Sequence, residues 1–425
     1  MVPLIPPNGA RDVCADVALR MRFTGTARVG STGKLRVFDA GADDAPVASV
    51  DFAAQSSSEN IGGRAFMLPR PVYVNGDEVI IRLPAQALAY GRRYYITIDQ
   101  GAITAPDGTP FAISDKTSWQ FDTRAAAPSQ RTLLHVASDA SAEFCSVQGA
   151  LDALPARNAN PATIEIANGT YFEVIHAQAK NNVTLRGENR DATIILGVNN
   201  NNLNPSTAAR ALVGIDNSSD FTIEDLSIHN LTPQGGSQAE ALRMQGCDRC
   251  TLRRVNVLSL QDTLLWSGRI YARDCYVEGN VDFVWGTGAA FFERCEIKTV
   301  GRAGYVVQAR NAVDAFGYVF VDSKISAAPG VRGIMLGRID ISQYPGSQVA
   351  YINCQMGEHI APQGWTISGG GPGAALRFGE YRSTDQTGQP LDVKQRIAGS
   401  RQLTDDEANA MRAPSNVLGG WTPTP

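Results

Sequence analysis

A short pattern returns along the middle of the chain and limits what it can fold into. Leu226-Ser-Ile228, Val255-Asn-Val257, Cys275-Tyr-Val277, Cys295-Glu-Ile297, Ser323-Lys-Ile325 and Cys354-Gln-Met356 each place a small or apolar residue two positions before an apolar one, usually after a polar pair. Their first members are 29, 20, 20, 28 and 31 residues apart. A unit of about 20 residues, lengthened by insertions, that turns the same side chains inward each time is the signature of stacked coils. An antiparallel sandwich would need frequent hairpin turns here, and those signals are sparse. The expectation is an all-β chain whose main domain is a right-handed parallel β-helix. Two helical stretches flank it. Cys145 to Pro155 has Ser146 as N-cap and Pro155 as a stop, and Thr404 with Glu407 forms a capping box at an end-capping helix.

At 425 residues the chain has room for a second, smaller domain. Residues 1–124 carry β-rich runs such as Leu35-Arg-Val-Phe38, Val79-Ile-Ile-Arg-Leu83 and Tyr94-Tyr-Ile-Thr-Ile98, separated by turns that include Asn75-Gly76 and Pro106-Asp-Gly108. A small β-sandwich is expected there. Its closing Ser118-Trp-Gln-Phe-Asp-Thr123 resembles the bacterial immunoglobulin-like domains appended to secreted and surface proteins, which serve as spacers or bind glycans. Residues 125–131 read as a linker, leaving 132–425 for the β-helix domain.

With 38 basic and 42 acidic residues, net charge points to neither nucleic acid nor an anionic membrane as partner. No apolar run is long enough to span a bilayer. Met1-Val-Pro-Leu-Ile-Pro-Pro lacks the regions of a signal peptide, so the chain reads either as intracellular or as a mature form without its leader. Cys14, Cys145, Cys247, Cys250, Cys275, Cys295 and Cys354 are too scattered for a disulfide scaffold. Cys247-Asp-Arg-Cys250 has redox or zinc spacing without a second pair to complete a site, which favours buried cysteines in stacked strands.

Within the shortest coils lie two aspartates, Asp262 and Asp282, in apolar surroundings where a carboxylate is costly without a partner or a task. They are 20 residues apart, the same interval that separates Cys275 from Cys295. Adjacent parallel strands lie ~4.8 Å apart, so the repeat turns the interval into a distance. Two carboxylates that close do not ionise together, and their titrations split into an acid and an anion. Gln238 precedes Gln261 by 23 residues, which stacks two amides beside the acids. The four histidines lack the setting of a Ser-His or Cys-His pair, and no nucleophile elbow or metal-ligand cluster is present. Two-carboxylate catalysis is the remaining option.

Gly169-Thr-Tyr-Phe-Glu173, Gln238-Ala-Glu-Ala-Leu242, Gln261-Asp-Thr-Leu264, Asp282-Phe-Val-Trp-Gly286 and Leu336-Gly-Arg338 stand in this order. Together with Gln308-Ala-Arg310, Gln363-Gly-Trp365 and Gly379-Glu-Tyr381, they resemble the signature blocks of the pectin methylesterases, from about residue 131 onward. The resemblance implies cleavage of the methyl ester of galacturonate in pectin, no metal, no cofactor, and secretion or a periplasmic location for what is expected to be a monomer. It implies Asp282 as nucleophile, Asp262 as proton donor and acceptor, Arg338 as the partner of Asp282, and Gln261 with Gln238 as oxyanion donors. A structural amide ladder is the other reading of Gln238.

The family usually continues Leu-Gly-Arg with Pro and a groove-lining Trp. Here Ile339, Asp340 and Ile341 follow, which removes an aromatic platform and adds a charge. Trp285, which replaces a usual Phe, with Trp266 and Trp365 are candidates to stack on sugar rings, core packing being the alternative for each. Gln308 and Tyr171 complete the candidate substrate contacts. Two competing classes are a depolymerase cutting glycosidic bonds with a carboxylate pair and a glycan-binding β-helix without activity; another is a relative acting on non-pectin esters or thioesters. Cys275 and Cys295, one coil apart, form either a disulfide or a reduced stack.

Overall fold

The computed structural model describes residues 2–42, 45–129, 131–301, 304–369 and 376–424. Gln130 in the expected linker, and the chain ends Met1 and Pro425, lie outside the described residues. The chain forms two compact units, Met1–Pro155 with Ala162–Ile175, and Ala156–Pro161 with His176–Pro425.

The first unit is built largely from antiparallel sheets. Glu78–Ile81 pairs with Val72–Asn75 on one side and Leu19–Arg22 on the other; Asn75 is paired with Glu78, so the hairpin turn is Gly76-Asp77, one residue beyond the Asn75-Gly76 expected. Arg93–Thr104 is the central strand of a second sheet, paired with Lys34–Asp39, Gln120–Thr123 and Pro110–Ile113. Trp119, Phe121, Leu35, Ile96 and Phe52 are among the side chains buried in its core. The same unit holds the parallel pair Leu133–Val136 and Ala162–Ile166 and the helix Val147–Ala153. Ser146 caps that helix by accepting from the Gly149 N–H at 2.9 Å. Glu173 accepts from the Val147 and Gln148 N–H groups at 2.9 and 3.0 Å, satisfying two more donors of the first turn. A disulfide joins Cys14 to Cys145, a pairing across 131 residues that the sequence analysis did not anticipate.

The second unit is a stack of parallel strands. One sheet includes Leu242–Arg253, Leu264–Arg273, Val284–Gly286, Tyr305–Ala309, Met335–Asp340 and Trp365–Ser368, each hydrogen-bonded in parallel to the next. Another includes Asn256–Leu258, Tyr276–Gly279, Glu296–Thr299 and Lys324–Ala327. The register aligns Leu242, Leu264, Val284, Val307, Gly337 and Trp365 in one column, whose side chains are buried. The neighbouring column, Arg243, Leu265, Trp285 and Gln308, faces the other way, and Arg338, one residue past Gly337, falls in line with it.

The sequence repeat has a backbone cause. The residue before each repeat, Asp225, Arg254, Asp274, Arg294, Asp322 and Asn353, has φ between 49° and 57°, so these six coils turn through a left-handed corner at the same place. Inside the stack, aromatic rings form a ladder from Trp266 through Phe292, Phe320, Tyr351 and Trp365 to Phe378, with centroids 4.5–5.8 Å apart. Cys275 and Cys295 are free thiols, both buried, so of the two readings the reduced stack holds. Cys247 and Cys250 are likewise free and buried. The helix Asp405–Met411 begins with the Thr404 and Glu407 capping box, and a further short helix, Pro414–Val417, follows.

Candidate active site

Asp262 and Asp282 occupy equivalent positions on adjacent coils, each two residues before an inward-facing residue, Leu264 and Val284, that pair with each other. Gln261 bridges to Val281, the Asp262 N–H donates to the Val281 carbonyl at 3.0 Å, and the Asp282 N–H donates to Tyr305 at 2.8 Å. The aspartates are therefore one strand spacing apart, as the repeat predicts. Both backbones are left-handed, with φ of 67° and 47°, a conformation that Asp tolerates better than most residues. The chain turns at these residues, which are 7% and 5% exposed.

Each carboxylate meets its own arginine. Arg338 forks Asp282, with Nε donating to Oδ1 at 2.8 Å and Nη2 donating to Oδ2. The Arg338 guanidinium lies 4.6 Å from the centroid of the Tyr305 ring, which supports it from the side. Burial pushes the Asp282 carboxyl up, while the Arg338 hydrogen bonds and charge pull it back. Asp262 receives one hydrogen bond, from Arg210 Nη2 to Oδ2 at 2.9 Å. Its carboxyl is pushed up to about 8, by burial first and then by the charge of Glu240, with Asp282 adding to the rise and Arg210 and Arg310 opposing it. Near neutral pH the arrangement presents one protonated and one arginine-bound carboxyl side by side.

Arg210 and Glu240 were not among the expected site residues. The register that aligns Leu242 with Leu264 places Glu240 in line with Asp262, at the same offset of two before an inward leucine. Glu240 thus carried a usable sequence signal. Arg210 carried none, because its contact with Asp262 spans 52 residues.

The expected amides are near but unequal. Gln261 immediately precedes Asp262 and its carbonyl accepts from Ala239 at 3.1 Å, while Gln238 sits one residue away from that pairing. The Gln238 Oε1 accepts from Ser237 Oγ at 2.9 Å. Trp285 belongs to the outward column and reaches the site, but the Arg310 guanidinium lies over its ring at 4.6 Å and Arg210 lies at 5.8 Å. Gln308 holds Arg310 there, its Oε1 accepting from Arg310 Nε at 2.8 Å. Tyr344, 5.5 Å from Arg310, is a further aromatic that the motifs did not single out.

Three expectations are corrected. Trp266 and Trp365 do not face a groove: both are 1% exposed and stack in the interior ladder, Trp365 in the inward column itself. Parity explains it, since alternate residues of a strand point to opposite faces and these two share the inward one. Tyr171 is 2% exposed and its hydroxyl donates to the Ala167 carbonyl at 2.8 Å, so it packs within the first unit. Asp340 stands where an aromatic platform is missing, and its carboxylate is already engaged by the Ser342 N–H at 3.0 Å and hydroxyl at 2.6 Å, and by Gln343 Nε2 at 3.0 Å. Among the described residues the one grouping of three metal-competent side chains is Cys14, Asp16 and Cys145, where the two sulfurs are joined in the disulfide.

A parallel β-helix presenting two aspartates on adjacent coils, one forked by an arginine, defines a class of carboxylic ester hydrolases. The Pectinesterase family profile matches residues 134–420, and the chain belongs to that family. It is 31% identical to Pectinesterase 31 of Arabidopsis thaliana over 290 residues, covering 65% of this chain and 89% of that protein. Pectinesterase 2 of Olea europaea is 29% identical over 66% of this chain and 77% of its own length. Among solved structures, the pectin methylesterase PemA from Erwinia chrysanthemi superposes with a TM-score of 0.56 at 26% identity, covering 70% of this chain and 99% of that one. A pectin methylesterase in complex with a hexasaccharide gives 0.55 at 26% identity. The shared architecture is the right-handed parallel β-helix.

Proposed function

We propose that this pectinesterase-family chain hydrolyses the methyl esters of galacturonate units in pectin through an acyl-enzyme on Asp282. The Asp282 carboxylate attacks the ester carbonyl carbon and the C–O bond to the methoxy group breaks, with Asp262 giving its proton to the departing methoxide. Asp262, now a carboxylate, takes a proton from the water that attacks the acyl-enzyme. The galacturonic acid leaves and gives its proton to solvent, and both aspartates return to their starting states. Gln261, with Gln238 behind it, supplies amide N–H groups to the tetrahedral oxyanion, a role that contributes about 3 kcal/mol where it operates. Arg338 favours the Asp282 anion against the burial that pushes its carboxyl up, and holds both its oxygens in a fixed plane.

The observation that carries this reading is the unequal pairing of two aspartates on adjacent coils, Asp282 forked by Arg338 and Asp262 bonded to an Arg210 that Glu240 also engages, with burial and the Glu240 charge pushing the Asp262 carboxyl up to about 8. The substrate is a polysaccharide, by the hexasaccharide bound to a structural relative. We further propose that residues 1–124 and 132–425 act as separate modules joined by 125–131, and that the protein works outside the cytoplasm as a monomer. Among the described residues no helix is long and apolar enough to cross a membrane.

Highly methylated pectin is expected to yield methanol with a falling pH and no new reducing ends. Asp282→Asn is expected to abolish turnover while leaving the fold intact. No methanol at any pH between about 4 and 9 from folded protein would overturn the pectin reading. Release of acid from other esters or thioesters would instead tie the Asp340 departure to a change of substrate.

A further inference from the structure

Two aspartates in one register, each touched by an arginine, leave open what makes one an acid and the other a nucleophile. The difference lies one contact further out. Arg338 forms its ion pair with Asp282 alone among the described residues. Arg210 brings a counter-ion of its own. Its Nε lies 3.0 and 2.9 Å from the two Glu240 oxygens, its Nη2 donates to Glu240 Oε1 at 2.7 Å and to Asp262 Oδ2 at 2.9 Å, and its Nη1 donates to Asn201 at 3.2 Å. Glu240 is fully buried and Arg210 is 7% exposed.

We propose that Arg210 and Glu240 are a positioning pair that orients the Asp262 carboxyl without adding net charge beside it, and so sets Asp262 as the proton donor. This rests on the reading of Asp262 as the acid. A hydrogen bond from a bare guanidinium would orient the carboxyl but also favour its anion, the direction in which Arg338 pulls Asp282 against the burial that raises it. Glu240 cancels that charge. Arg210 then fixes Oδ2 as the acceptor, leaving Oδ1 to carry the proton toward the leaving oxygen.

The charged groups facing Asp262 are Glu240 on the preceding coil, Asp282 on the following coil, and Arg210, Arg310 and Arg338. Removing one member of the pair unbalances this set in a predictable direction. Glu240→Gln leaves Arg210 uncompensated, which lowers the Asp262 pKa; Arg210→Gln leaves Glu240 uncompensated, which raises it.

The test is methanol release from methylated pectin by the full chain, with kcat and KM measured from about pH 4 to about 10. Glu240→Gln is expected to move the alkaline limb of kcat down by about one unit or more, a loss of about tenfold at the wild-type limb since each unit is a factor of ten in the protonated fraction. Arg210→Gln is expected to move it up. The acid limb and KM are expected to stay near wild type in both. Falling rates with the alkaline limb unmoved in either folded variant would show a merely structural pair and overturn the proposal, and either variant suffices if the other does not fold. Asp262→Asn separates the two levels of the argument. If it keeps near-native turnover, the acid assignment itself is wrong; if it is inactive while the limb stays fixed in the Gln variants, only the pair's role falls.

Discussion

Asp262 holds its proton far above the range of a free carboxyl, and that has a cost that depends on pH. In the unfolded chain the group loses its proton near 3.9; in the folded chain it keeps it to about 8. Between those values the native state binds the extra proton, so stability falls as pH rises through the window. Asp262→Asn keeps an acceptor for Arg210 and cannot ionise. Its melting temperature is expected to gain on the wild type from about pH 4 to about 8 and then level off; a constant difference at pH 5 and pH 8 would show that Asp262 is not raised. Arg338→Lys replaces a planar fork with a point charge, and because misplacing a reacting group costs about 100-fold, kcat is expected to drop by that order with KM little changed. Initial-rate kinetics decide it. The residues at this scale that were legible in the sequence, Asp262, Asp282 and Arg338, are charges standing in apolar runs. Glu240 is readable through its offset from Leu242, the same as that of Asp262 from Leu264. Arg210 is fixed only by tertiary contact.

Among the elements, the strand alternation separates tryptophans that look alike in sequence. Trp266 and Trp365 follow the inward face and belong to the ladder of rings; Trp285 follows the outward face and meets Arg310. Motif proximity placed all three near the aspartates, whereas parity distinguishes them once the register is known. The coils themselves were legible because the left-handed corner and the inward residue after it recur in all six repeats. Phe320 sits mid-ladder between Phe292 and Tyr351, at 4.5 and 4.8 Å, and is fully buried. Phe320→Ala is expected to cost about 3–5 kcal/mol, measured by denaturant unfolding with methanol release as a check that the residual native protein keeps its turnover.

For the whole molecule, the cysteines divide into one bonded pair and five buried thiols. Denatured but unreduced protein is expected to titrate five thiols with a disulfide reagent; seven would exclude the Cys14–Cys145 bond, and three would require another. Replacing Cys14 and Cys145 together by Ser opens a loop of 131 residues, which by chain entropy lowers stability by about 5 kcal/mol. Unfolding followed through Trp119 in the core of the first unit reports the loss. The sequence offered no route to this pairing, since two cysteines that far apart carry no spacing rule.

The left-handed corners have one more consequence, for how a stack like this changes length. From Asp225 to Asp322 their side chains alternate in sign, and a neutral Asn353 ends the series: Arg254 forks Asp225 at 2.6 Å through both nitrogens, Arg294 binds Asp274 at 2.9 and 2.7 Å, and Asn353 donates to Asp322 at 3.0 Å. Each exposed pair is worth only about 0.2–1 kcal/mol, yet the alternation imposes a parity. Excising one coil, residues 255–274, sets Arg254 against Arg294; excising two, residues 255–294, sets Arg254 against Asp322 and keeps the order of signs. The unit in which this column grows or shrinks without electrostatic conflict is the pair of coils.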